Sequence, residues 1–159
     1  MNSKIRLVSM LVVVLGIVSL AVGAVFIGLA IQKNNFVVNS LREQKITLGL
    51  TKDQVAKGEL VDTSDEALVA ANTLATHLKS IAPTFGALTA ANPSGKFDPT
   101  VASNLTYGQG LTMETSLNLV VLSFGVIQAT MATGGALIII GIAVGATGIA
   151  LFKLGKKTV

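Results

Sequence analysis

Apolar positions in this chain fall into two long blocks separated by a polar, periodic stretch. Residues 7–32 form an uncharged run of 26, and residues 115–152 form a second of 38. About 20 apolar helical residues cross a hydrocarbon core of about 30 Å, so each run suffices for one crossing. The second would reach about 57 Å as a single helix, so part of it must leave the lipid. Its last 25 or so residues, 128–152, are the more apolar. Ser116, Asn118, Ser123 and Gln128 make the upstream part suited to a stalk.

The stretch between the runs reads as mainly helical. Residues 36–42 can prolong the first helix, since no proline stops them. Residues 46–50 alternate with period two, which predicts a short strand. Thr51 and Gln54 have capping-box spacing, and Gly58 is placed to close the helix they open. Thr63 with Glu66 caps a helix over 67–81 whose apolar stripe is Leu68, Ala71, Leu74, Ala75 and Leu78, and Pro83 ends it. Residues 82–99 hold all three prolines and read as loop. Asp98-Pro99 signals another helix start, which Gly108 and Gly110 are expected to divide.

Charge then sets an orientation. Lys4, Arg6, Lys153, Lys156 and Lys157 flank the two runs, with no acidic residue in either tail, whereas the intervening stretch carries seven Lys/Arg against eight Asp/Glu. The positive-inside rule puts both tails in the cytoplasm, and an even number of crossings agrees. A cleaved signal peptide is the rival for the N-terminus, but signal apolar regions are about 7 to 15 residues, so an uncleaved anchor is expected. The expected architecture is an all-α membrane protein, an antiparallel two-helix transmembrane hairpin with a small, mainly helical extracytoplasmic domain. Its parts are a tail (1–6), the first span (7–32), an extracytoplasmic domain and stalk (33–127), the second span (128–152) and a tail (153–159). The expected location is the cell membrane. The basic pI of about 9.6 resides in the tails, where anionic headgroups meet it, and does not indicate nucleic acid.

Glycine spacing adds a pattern that hydropathy does not contain. Gly134, Gly141, Gly148 and Gly155 recur every seven residues, with Gly145 one turn after Gly141. In the first run Gly16, Gly23 and Ala30 also recur at seven, and Ser19 lies four before Gly23. Residues seven apart share nearly one helix face, and small residues there let backbones approach closely. A packing seam is expected, either within the hairpin or towards another chain.

Candidate chemistry is sparse. With one His and no Cys, a metal site is not expected, and His77 near the end of its helix is read as favouring the helix dipole. No nucleophile constellation, phosphate loop or cofactor site is expected. Neither run contains Asp, Glu, Lys, Arg or His, which argues against a proton-coupled carrier. Asn104-Leu-Thr106 is the one glycosylation sequon, and would face outside.

Leu41 with Ile46-Thr47, the Ala-rich segment from Glu66-Ala67 to Thr76-His77, Asp98-Pro99, and Ser116-Leu117 to Phe124-Gly125-Val126 leading into the Gly-rich span carry a resemblance. In that order the chain resembles a bacterial family of small membrane proteins with two transmembrane helices, some labelled aromatic ring-opening dioxygenase. The resemblance implies the two-span topology. The label implies a non-haem iron site with several His and carboxylate ligands, which one His does not supply. The expected role is a non-enzymatic structural or accessory subunit of a membrane assembly, its partners being the bilayer and other membrane subunits or itself. The alternatives are a homo-oligomeric channel reminiscent of small two-span mechanosensitive pores, or an extracytoplasmic ligand sensor with a pocket between helix 67–81 and the stalk helices.

Overall fold

The computed structural model describes residues 3–157, with side chains from 5 to 156. Five helices follow one another: α1 (Ser3–Gln44), α2 (Lys52–Ala56), α3 (Ser64–Ile81), α4 (Phe85–Ala90) and α5 (Ala102–Lys157). No strand occurs among the described residues. The protein is all-helical. It forms two compact units, Met1–Asn34 with Val126–Val159, and Asn35–Gly125.

Two helices are long and apolar enough to cross a membrane. Their apolar windows have mean hydropathies of 2.9 (in Ile5–Gln44) and 2.3 (in Ala102–Lys156), and only 11% of each window is buried. A core helix of a soluble domain would bury most of such a window. Here Leu7, Met10, Leu15, Val25, Ile139 and Ile142 are all exposed, an apolar surface of the kind that marks a membrane or protein interaction site.

The unit of residues 35–125 is built on caps that the sequence spells out. Thr51 and Gln54 form a reciprocal capping box at α2, and Gly58, at φ +78°, closes it. Thr63 and Glu66 do the same at α3: Thr63 Oγ1 accepts from the Glu66 amide at 3.3 Å, and Glu66 Oε2 accepts from the Thr63 amide at 3.2 Å. Residues 46–50 form a turn instead of the expected strand, with Leu50 N donating to Thr47 O. The alternation has a different use: Ile46, Leu48 and Leu50 pack on a core of Val61, Ala67, Ala70, Ala71 and Leu117, with no ladder partner. Small Ala residues on α3 let it lie close to α5, and Leu117 fills the space between.

Three further expectations are corrected. Residues 82–99 are not all loop, because Thr84 caps the short helix α4 with its hydroxyl accepting from Ala87 N at 3.1 Å. Asp98-Pro99 does not start α5 directly; Asp98 Oδ1 accepts from Thr100 N and Oγ1, and this turn delays the helix to Ala102. Gly108 and Gly110 do not divide α5. A Cβ at Gly108 would lie 3.0 Å from the Phe97 ring, and one at Gly110 would lie 2.6 Å from Leu78 Cδ2. The two glycines receive those side chains into a second core of Leu78, Ala82, Leu88 and Tyr107. Phe85 stacks on Phe97 nearby, with centroids 5.9 Å apart.

Burial pulls the Glu66 carboxyl up, but hydrogen bonds from Asp62 N, Thr63 Oγ1 and Thr63 N outweigh it and hold the group below the usual carboxylate range. A depressed folded value means that this stability is complete above the unfolded pKa of about 4.3 and is lost as pH falls through the folded one. Acidification through that window is therefore expected to weaken hydrogen-exchange protection in α3. Glu66→Gln, whose amide oxygen still accepts, should keep most of the cap and abolish the pH dependence. Thr63→Ala should cost about 1 kcal/mol at any pH.

Candidate functional site

Two features of the folded chain stand out from ordinary packing, a glycine seam in the apolar pair and a groove in the unit of residues 35–125. The seam lies between α1 and α5. A Cβ built on Gly16 would sit 2.6 Å from Gly145 N and 2.8 Å from Gly141 O. One on Gly23 would meet Gly134 O at 2.7 Å, and one on Gly141 would meet Gly16 O at 2.8 Å. One on Gly148 would meet Val13 N at 2.8 Å and Ser9 O at 3.1 Å. As partner numbers fall along α1 they rise along α5, so the helices run antiparallel in this unit. At Gly16, Gly23, Gly134, Gly141 and Gly148 backbone meets backbone, with no room for a side chain.

The buried positions repeat the spacing of seven: Ser9, Gly16, Gly23 and Ala30 on α1, and Gly134, Gly141, Gly148 and Gly155 on α5. A strict heptad keeps one face of each helix turned to its partner. Of the expected seam residues, Gly16, Gly23, Gly134, Gly141, Gly145 and Gly148 are brought together, and Ala30 is buried. Ser19 is half-exposed at the margin. Gly145 has a particular place: its backbone is what Gly16 meets, yet a Cβ of its own would have nothing within 4 Å. Ser9 was missed by sequence reasoning, although it lies one step of seven before Gly16. It is buried, and its hydroxyl donates to Ile5 O at 2.8 Å. This satisfies the hydroxyl's donor without a partner across the seam.

The basic flank is less structured. Arg6, Lys153 and Lys156 are exposed, and Lys156 Nζ lies 5.2 Å over the Phe152 ring. The side chains of Lys4 and Lys157 lie outside the described ones.

In the unit of residues 35–125, the last turns of α1 and the middle of α5 enclose an open groove of about 570 Å³. Phe36, Leu41, Ile46, Leu117, Leu119 and Val120 supply apolar walls. The interval between α3 and α5, where a sensor pocket was expected, is instead filled by Ala67, Ala70, Ala71 and Leu117. An ion pair, Arg42 to Asp62 at 2.7 Å, ties the end of α1 to the segment before α3. Being largely exposed on the arginine side, it adds at most about 1 kcal/mol.

The remaining candidates offer no constellation. His77 is exposed on α3, and among the described residues no group of three or more His, Cys, Asp or Glu is arranged to hold a metal. The sequon asparagine, expected on the outer side of the membrane, is buried in the unit of residues 35–125. Asn104 is 2% exposed and its Nδ2 lacks a hydrogen-bond partner, so a glycosylating enzyme could not reach it in the folded chain.

Comparison with known protein families, curated proteins and solved structures finds no match to this chain.

Proposed function

We propose that this chain is a two-span membrane protein of the cell membrane, with both termini cytoplasmic and residues 33–127 outside, acting as a structural or accessory subunit of a membrane assembly. The observation that carries the reading is the glycine seam. It commits the small faces of the two long helices to each other at backbone contact and leaves Leu, Ile and Val pointing outward all round, as lipid requires. Such a hairpin anchors the chain in the bilayer. The basic tails and the near-neutral middle support the orientation.

A pore-forming role draws less support. Thr130, Thr133 and Thr147 use their only hydroxyl donors on carbonyls of their own helix, at 2.8, 2.9 and 2.8 Å, and neither long apolar run carries a charge to line a water path. A sensing role also draws less support, because the interval between α3 and α5 where its pocket was expected is filled by Ala67, Ala70, Ala71 and Leu117.

A membrane-impermeant amine reagent applied to intact cells tests the topology. Exposed Lys79 and Lys96 are expected to react, with Lys153 and Lys156 protected until the membrane is opened. Reaction of Lys153 and Lys156 alone would reverse the orientation. Purification in mild detergent then tests the role: partner subunits or a defined oligomer are expected, and a partner-free monomer would refute it.

A further inference from the structure

We infer that the groove between the last turns of α1 and the middle of α5 holds an acyl chain of a bilayer lipid. The inference rests on the two-span reading above. The groove's volume of about 570 Å³ lies within the usual range of small-molecule sites. Its chemistry narrows the occupant. No charged residue lines it, and two of its four polar side chains already use their hydroxyl donors within the helix: Ser116 Oγ donates to Thr112 O at 2.9 Å and Ser123 Oγ to Leu119 O at 2.7 Å. A polar soluble ligand would find no charge to recognise and little to bond. Meanwhile Phe36 and Leu119, on opposite walls, are 68% and 58% exposed, so apolar surface is left uncovered.

Continuity identifies what covers it. The uncharged run of residues 115–152 begins inside the groove, since Ser116, Leu117, Leu119, Val120 and Ser123 all belong to it. Exposed Leu122 and Val126 continue along α5 from Leu119 at helical spacing, into the segment read as lipid-facing. Along α5 itself no charged residue separates those groove residues from the apolar window, since residues 115–152 carry none.

The chain contains no tryptophan, so single tryptophans report cleanly. Four variants of the full chain are reconstituted in phosphatidylcholine vesicles with brominated or plain acyl chains: Ser40→Trp and Ser116→Trp in or beside the groove, Asn39→Trp exposed at the same helix level, and Ile17→Trp in the span. Bromine is expected to quench Ile17→Trp and at least one groove variant to a similar degree, with no loss at Asn39→Trp. Quenching at Ile17→Trp with neither groove variant quenched would overturn the inference and leave the two-span reading standing; a second copy or another protein in the groove would give this result. Equal quenching at Asn39→Trp would also overturn it, because the bilayer itself would then reach that level. No quenching at Ile17→Trp would refute the membrane reading beneath both.

Discussion

Gly16→Ile is expected to separate the two long helices, whereas Gly28→Ile and Gly135→Ile should leave them paired. The side chain introduced is isoleucine at all three positions, so hydrophobicity cannot account for a difference. Geometry can. At Gly16 even the first carbon of a side chain falls 2.6 Å from Gly145 N and 2.7 Å from its Cα, and backbone cannot step aside as a side-chain tip can. At Gly28 and Gly135 an added Cβ meets nothing within 4 Å. Overpacking of a tight interior costs about 1–3 kcal/mol, and here the obstacle is rigid, so the upper end or beyond is expected. The absence of cysteine allows two introduced thiols, one near each end of the paired segments, to carry spectroscopic labels without background. Inter-label distance in detergent or bilayer should lengthen for Gly16→Ile and Gly141→Ile and stay unchanged for the two controls. The seam also has a sidedness: Gly145→Ala should be tolerated although Gly16→Ala is not, because the Cβ of residue 145 points into open space. Equal tolerance at Gly16 and Gly28 would remove the seam from the account.

That contrast marks how far the residues speak for themselves. The spacing of seven at Gly16, Gly23 and Ala30, and at Gly134, Gly141 and Gly148, was legible because close backbone approach leaves glycine as almost the sole choice. What spacing alone left open was the partner: the same pattern serves a neighbour in the chain or a second molecule. The capping boxes Thr51/Gln54 and Thr63/Glu66 were legible too, being local hydrogen bonds between residues three apart. Misreadings arose where a local pattern serves a distant contact. Residues 46–50 alternate because three side chains enter a core made by α3 and α5, and not because a strand lies beside them. Gly108 and Gly110 look like helix breakers but make room for Phe97 and Leu78, from elsewhere in the chain. The helix α4 hid among prolines, although Thr84 had the hydroxyl to cap it. No sequence period announces a groove, since its walls come from segments some seventy residues apart.

Leu117→Ala is expected to be the most damaging conservative truncation in the unit of residues 35–125. Leu117 is 2% exposed and stands where α5 meets Val61, Ala67, Ala70 and Ala71. Its neighbours on α3 are alanines, which have no longer rotamer with which to refill the space. Leucine-to-alanine changes in cores cost about 2–5 kcal/mol, larger where the site cannot collapse, and this one is poorly placed to do so. With about 1.4 kcal/mol per decade, protection of α3 amides against hydrogen exchange should fall between about thirtyfold and a few thousandfold. The effect should stop at the boundary between the two units. The Gly-lined pair is held by backbone contacts that do not involve Leu117, so the inter-label distance across α1 and α5 should not change. Leu119→Ala, two residues on and exposed, is the matched control, expected to leave α3 protection nearly untouched. If Leu117→Ala instead loosened the seam as well, the two units would unfold as one cooperative body.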